Sequence, residues 1–221
     1  MYVAIIGDIK NSRELTNRDE VQIRLKKILN DINDKYSEQL AASFLITIGD
    51  EFQGLLNCPD SLLSIIKYIQ LSMMPVEIRF GIGIGDITTE LNTYALGIDG
   101  PAFYAAREMI NYVHEHEKKK KYNIRVAFYR TDGPRDEMWV RVLNTLLLSL
   151  TLIEEAWSSR TREIMADILL NEESYSQTEI ANRLGVNQST VTRGLQSANY
   201  QGYREISGMI EELIMSRSRF L

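Results

Sequence analysis

A chain of 221 residues, 44% apolar and 25% charged, is long enough to bury a core as one large domain or two small ones. Its net charge of −5 gives no overall attraction to nucleic acid or an anionic membrane, and its single cysteine, Cys58, excludes an internal disulfide. No apolar stretch reaches membrane-spanning length and no basic leader precedes the first apolar run, so a reducing, cytoplasmic setting without membrane contact is expected.

Residues 2–9 (Tyr-Val-Ala-Ile-Ile-Gly-Asp-Ile) read as a buried strand, and residues 10–15 as a polar turn. From Asp19 to Tyr36, Val21, Leu25, Ile28, Leu29 and Ile32 recur at helical spacing. Phe44, Ile46 and Ile48 alternate on one face of a strand over 43–48. A second strand, Phe52 to Leu56, follows a two-residue turn in which Gly49 takes the first central position. Pro59-Asp60-Ser61 opens a helix carrying Leu62, Ile65, Ile66 and Ile69, which ends before Pro75. Val76 to Ile87 is a strand whose glycines mark close approach by another backbone or a ligand. Asp99-Gly100-Pro101 starts a helix through His114, and Ile124 to Tyr129 is the last strand. The order β-α-β-β-α-β-α-β predicts an α+β ferredoxin-like domain over residues 1–130, with helices on one face of a mostly antiparallel sheet.

Thr131-Asp132-Gly133-Pro134 reads as a linker, and residues 131–221 as an all-α domain. One long apolar helix is expected from Arg135 to Ser158, another to Leu170, and a last one from Tyr203 to Met215. Between them, residues 176–200 resemble a helix-turn-helix. Ser176 and Glu179 form a capping box, Ala181 is small at the helix crossing, Gly185 makes the turn, and Val186, Val191 and Leu195 pack the second helix.

Two acids bound strongly apolar strands: Asp8 ends the first, and Asp50 sits at the hairpin tip. Such a pair repels unless a proton or a cation lies between its members. The expected occupant is Mg²⁺ or Mn²⁺, held by Asp8 and Asp50 with Glu51 as a third ligand. Ile9, Lys10, Asn11 and Ser12 form a strand-to-helix loop suited to a nucleotide phosphate. His114 and His116, among Glu115, Glu117 and Lys118 to Lys121, read as a solvated helix end.

Three motifs carry a resemblance. Asp8 with the Ile-x-x-Ser after it resembles the first strand of class III nucleotidyl cyclases. Ile48-Gly49-Asp50-Glu51-Phe52 resembles the cyclase hairpin and the GGDEF signature of diguanylate cyclases. Arg79 to Ile87 resembles a third cyclase strand. The resemblance implies that Arg107 is catalytic, stabilising charge on phosphates in the transition state. It departs at Ile46, Leu96 and Phe103, which stand where cyclases carry base- and ribose-recognising Lys, Asp and Asn, so a substrate does not carry over. The whole chain, with Asp-Gly-Pro-Ala-Phe-Tyr-Ala-Ala-Arg at 99–107, is more similar still to the SatD family of bacterial proteins.

For DNA, the reading residues would be Asn187, Gln188, Ser189, Thr190, Thr192 and Arg193. Residues 131–221 hold nine Arg, no Lys and thirteen acids, a net of −4 that disfavours phosphate contact. The leading expectation is a nucleotide-responsive, DNA-binding regulator. The alternatives are a homodimeric nucleotidyl cyclase or nucleotidyltransferase, and a scaffold whose two halves bind only protein.

Overall fold

The computed structural model describes residues 1–119, 123–130, 137–171 and 176–218. Its first eight elements follow the expected order. They are β1 (Tyr2–Ile9), α1 (Arg18–Lys35), β2 (Leu40–Ile46), β3 (Phe52–Leu56), α2 (Leu62–Met73), β4 (Ile78–Gly85), α3 (Pro101–Lys118) and β5 (Val126–Arg130). They build a five-stranded sheet in the order β2-β3-β1-β4-β5. The first four strands pair antiparallel, and β5 joins β4 in parallel.

Because β1 is central, its two side-chain rows are both buried. Val3, Ile5 and Ile9 pack with α1 and α2, whereas Ala4 and Ile6 pack with Ala102, Phe103, Ala106 and Ile110 of α3. Helices therefore cover both faces, not the one expected. A parallel β4–β5 pair needs a crossover element, and α3 supplies it. The glycines of β4 admit that helix. A Cβ on Gly81 would stand 2.2 Å from the Ala106 carbonyl oxygen, and one on Gly83 2.1 Å from that of Ala102.

The hairpin between β2 and β3 closes with the Glu51 N–H donating to the Ile48 carbonyl at 3.1 Å. Positive φ at Gly49 (67°) and not at Asp50 fits the II′ choice. The strand stops at Ile46, so Ile48 falls in the turn and is exposed, contrary to the alternation over 43–48.

Beyond β5 come α4 (Glu137–Glu155), α5 (Ser159–Leu170), α6 (Gln177–Leu184), α7 (Gln188–Ser197) and α8 (Tyr200–Ser218). The expected linker, Thr131 to Pro134, lies outside the described residues. Trp139, Leu143, Leu147 and Leu150 of α4 share one hydrophobic core with the sheet, α1 and α2. The Trp139 ring meets Phe128 at 5.4 Å between centroids. The Asn144 amide donates to the Phe128 carbonyl and accepts from its N–H, both at 2.9 Å, which satisfies part of the open edge of β5.

A buried charge cluster lies within this seam. The Glu154 carboxylate accepts from Lys67 of α2, from Arg125 Nη1 (3.1 Å) and from the Tyr203 hydroxyl of α8 (2.9 Å). Burial pushes Glu154 up, but Lys67, Arg125 and Tyr203 outweigh it and hold the carboxyl below its ordinary range. Burial, then Glu154, push the Tyr203 hydroxyl well above its own. Among the described residues no helix is long and apolar enough to cross a membrane.

Candidate functional site

Charged side chains converge where β1 ends, beneath α3. Asp8 lies directly across from Arg79 on β4. Arg79 grips it edge-on, with Nε to Oδ1 at 2.9 Å and Nη2 to Oδ2 at 2.8 Å. His114 Nε2 of α3 is 2.9 Å from the same Oδ2. Arg79 Nη1 reaches Glu117, three residues along α3 and on the same face. Lys10 Nζ lies 2.7 Å from Glu77 and 3.3 Å from Glu117. The charges thus alternate, so the buried Asp8 carboxylate is paired and hydrogen-bonded. Burial lowers the affinity of Arg79 and Lys10 for their protons, but the carboxylates around them outweigh it and hold both above their ordinary values.

A second pair stands beside this cluster. Continuing the β1–β3 register one step past Gly7↔Phe52 sets Glu51 across from Asp8. Both Glu51 oxygens accept from Arg107 of α3, one of them at 2.7 Å from Nη2. That hydrogen bond, with further help from Asp8, holds the Arg107 guanidinium above its ordinary value despite partial burial. The fold therefore brings Glu51 and Arg107 of one chain together beside Asp8. Asp50 stays at the hairpin tip, half-exposed, with no hydrogen bond or ion pair among the described residues.

Two of the three carboxylates expected to hold a divalent cation, Asp8 and Glu51, are engaged by other partners. Mg²⁺ and Mn²⁺ need uncommitted carboxylate oxygens. Here the two oxygens of Asp8 serve Arg79 and His114, and those of Glu51 serve Arg107. No group of three or more His, Cys, Asp or Glu among the described residues is placed to hold a metal. The charge of Asp8 is balanced instead by Arg79, a cation that stays protonated at any physiological pH.

The loop after β1 is also committed. Ile9 is turned into the α1–α2 side of the core. The Lys10 N–H donates to the Glu77 carbonyl at 2.9 Å, and its ammonium is shared by two carboxylates. Asn11 is exposed with φ 54°, and Ser12 is buried at the start of a short 3₁₀ turn, Ser12–Glu14. The long helix starts only at Arg18.

Arg79, His114, Glu77 and Glu117 were not expected as site residues. Arg107, His114 and Glu117 do lie seven and three apart, so a shared helix face is readable from their spacing. Nothing local marks Arg79 or Glu77, whose partners are set by strand register. His114 is part of the cluster, not of a solvated helix end.

Further along the chain, α6 begins with both halves of the Ser176–Glu179 capping box. It ends at Gly185 (φ 63°, ψ 37°), with the Val186 N–H on the Ala181 carbonyl at 2.9 Å and the Gly185 N–H on that of Asn182 at 3.3 Å. This pair of bonds is a Schellman ending, which turns the chain sharply into α7. Ile180, Ala181 and Val191 form a small core with Ile164 of α5. Gly194 lets that Ile164 press against α7, since a Cβ there would meet its Cδ1 at 2.4 Å. Asn187, Gln188, Ser189 and Arg193 are exposed and Thr190 is half-exposed. The Thr192 hydroxyl is used internally, donating to Gln177 of α6 at 2.7 Å.

A protein-family model described as the SatD family matches residues 2–214. A search of curated proteins gave no match. Among solved structures, the chain is similar to a bacterial light-regulated adenylyl cyclase (15% identity, TM-score 0.41, 57% of this chain and 74% of that one). It is also similar to the non-canonical dimeric guanylyl cyclase domain of the RhoGC fusion protein from the aquatic fungus Blastocladiella emersonii (18% identity, TM-score 0.38, 50% and 72%). A third is the guanylyl cyclase Cya2 (17% identity, TM-score 0.35, 50% and 69%). Identities this low bear on the fold alone.

Proposed function

The chain belongs to the SatD family, and from that premise we propose that it is a DNA-binding regulator. In this reading it works as a homodimer, α6 and α7 form a helix-turn-helix, and the sheet unit is a non-catalytic regulatory body. The observation that carries the reading is the row of exposed polar side chains at the start of α7, of which Arg193 also gives Nε to the Ser189 carbonyl at 3.2 Å. Asn187, Gln188, Ser189 and Arg193 stand in solvent on a helix oriented by the Gly185 turn and backed by Ile164, Ile180 and Val191. Amides pair with adenine edges and Arg with guanine, which is the chemistry of direct readout in a major groove. Thr192 is left out of the reading set because its hydroxyl holds α7 to α6.

The same reading fixes what binding should look like. Only Arg193 is basic on α7, so each subunit neutralises few phosphates. Affinity should be modest and should fall gently with salt, with a slope near −1 to −2 per subunit on a log–log plot. Fluorescence anisotropy with a pool of genomic fragments, titrated across salt, measures both. Arg193→Ala should weaken the best fragment by about 1–3 kcal/mol. Absence of binding by any fragment at low salt, or an Arg193→Ala, Gln188→Ala double variant that binds unchanged, would sink the proposal.

The enzymatic alternative draws no support from the site. A nucleotidyl cyclase or nucleotidyltransferase would need Asp8 and Glu51 released from Arg79 and Arg107, and a nucleotide phosphate on residues 9–12 would need Lys10 released from Glu77 and Glu117. Incubation with each NTP and Mg²⁺ or Mn²⁺, followed by mass spectrometry, should yield no cyclic or transferred product.

A further inference from the structure

A cleft of about 920 Å³ separates the end of α2 and the start of β4 from α5. That is the size of a small-molecule site. Much of its wall is apolar, from Leu71, Val76, Trp157, Ala166 and Leu170. Its charged groups divide in an informative way. Every acid in the wall already has a cation: Lys10 on Glu77, Lys67 and Arg125 on Glu154, Arg160 on Glu163, and Arg183 on Asp167. The guanidiniums are matched only in part: Arg125 pairs with Glu154 through Nη1. Arg162 gives Nε to the Trp157 carbonyl at 3.2 Å and makes no ion pair among the described residues.

Arg125 is the sharpest case. Its side chain is 8% exposed, yet only Nη1 is hydrogen-bonded, to Glu154. Nε and Nη2 are buried without a hydrogen-bond partner. Nη2 lies 3.9 Å from Glu77 Oε1, beyond hydrogen-bond reach. Nε and Nη2 are the edge with which Arg79 grips Asp8 and Arg183 grips Asp167 in this same molecule. That edge matches two oxygens of a carboxylate or phosphate. Leaving it unmet in a buried position costs more than an ordinary hydrogen bond gains. A buried acceptor, Gln70 Oε1, also lacks a partner on the same wall. Burial pushes Glu77 up, but Lys10, Arg125 and Arg162 hold it below its ordinary range.

We infer that this cleft binds a small amphipathic anion, a carboxylate or phosphate head on an apolar body. The head meets the half-buried Arg162, and the Arg125 side chain turns to offer its Nε/Nη2 edge, which is closed to solvent in this structure along with Gln70 Oε1. The body lies along Leu71, Trp157 and Ala166. Arg162 and Ala166 belong to α5, whose Ile164 presses on α7, and Leu184 at the end of α6 also lines the cleft. Control of DNA contact by this ligand rests on the regulator reading above. The binding itself does not, so the two can fail separately.

Isothermal titration of the full chain with N-octanoylglycine, octyl phosphate and neutral octanamide tests the inference. At least one anion should bind saturably, one per chain, and octanamide at least about tenfold more weakly, a gap of about 1.4 kcal/mol. Whichever anion binds identifies the head. Ala166→Trp, which fills the cleft, should abolish binding, and Arg162→Gln should weaken it about tenfold. Both positions are only half-buried, so both variants should unfold near the native temperature, which makes their loss of binding readable. No saturable binding of either anion, equal affinity for octanamide, or undiminished binding by Ala166→Trp would each overturn the inference.

Discussion

Glu154→Gln removes one charge from the seam between the sheet and the C-terminal helices and changes little else in size. In the native protein one carboxylate oxygen accepts from Lys67 and Tyr203 and the other from Arg125 Nη1. Glutamine can keep its carbonyl towards Lys67 and Tyr203, but its NH₂ then faces the Arg125 guanidinium, a donor against a donor. Two buried cations lose their counter-charge at once. Breaking a buried pair from one side costs about 3–5 kcal/mol. For a chain of this size, each kcal/mol moves Tm by about 2–4 °C, so the variant should melt roughly 6–20 °C lower at pH 7. The pH dependence carries a second check. The folded carboxyl lies below its ordinary value of 4.5, so its stabilisation is fully present above that value and is lost as pH falls through the folded pKa. Native and variant melting temperatures should therefore converge below about pH 4.5. Calorimetric scans from neutral pH downwards measure both quantities. A variant that melts within about 1 °C of the native protein at pH 7, or a gap that persists undiminished into acid, would refute the reasoning.

Further outcomes follow from close packing and from the charge cluster. Gly83→Ala places a Cβ 2.1 Å from one α3 backbone oxygen and 2.5 Å from an α3 backbone nitrogen, so the helix must lift off the sheet. The cost should be at least about 1–3 kcal/mol by chemical denaturation. Gly208→Ala on α8 meets nothing within 4 Å and should stabilise by about 0.5–1 kcal/mol, a control in the opposite direction. Mg²⁺ or Mn²⁺ in the millimolar range should leave Tm unmoved, because a ligand that binds the native state must raise it. A metal-dependent rise lost in Asp8→Asn would show that Arg79 yields its place to the cation.

What could be read along the chain was whatever short-range chemistry dictates. The burial of β1 on both faces follows from an unbroken run of Val, Ala and Ile. The Gly49 turn, the Ser176–Glu179 box and the Gly185 ending each depend on a residue type at a fixed local offset, so each was legible before any coordinates. The tight glycines of β4 announced a close neighbour without saying which one, and the neighbour is the α3 backbone. Tertiary structure decided which charges meet. Asp8 faces Arg79 because β1 and β4 pair in one register, and a slip of one residue would turn that carboxylate to the other face. The same register sets Glu51, not Asp50, across from Asp8, and α3 crossing above delivers Arg107, His114 and Glu117. Electrostatic partners are chosen by distances of a few ångströms between residues tens of positions apart. Sequence therefore named the acids, and only the packed sheet could show that arginines already hold them.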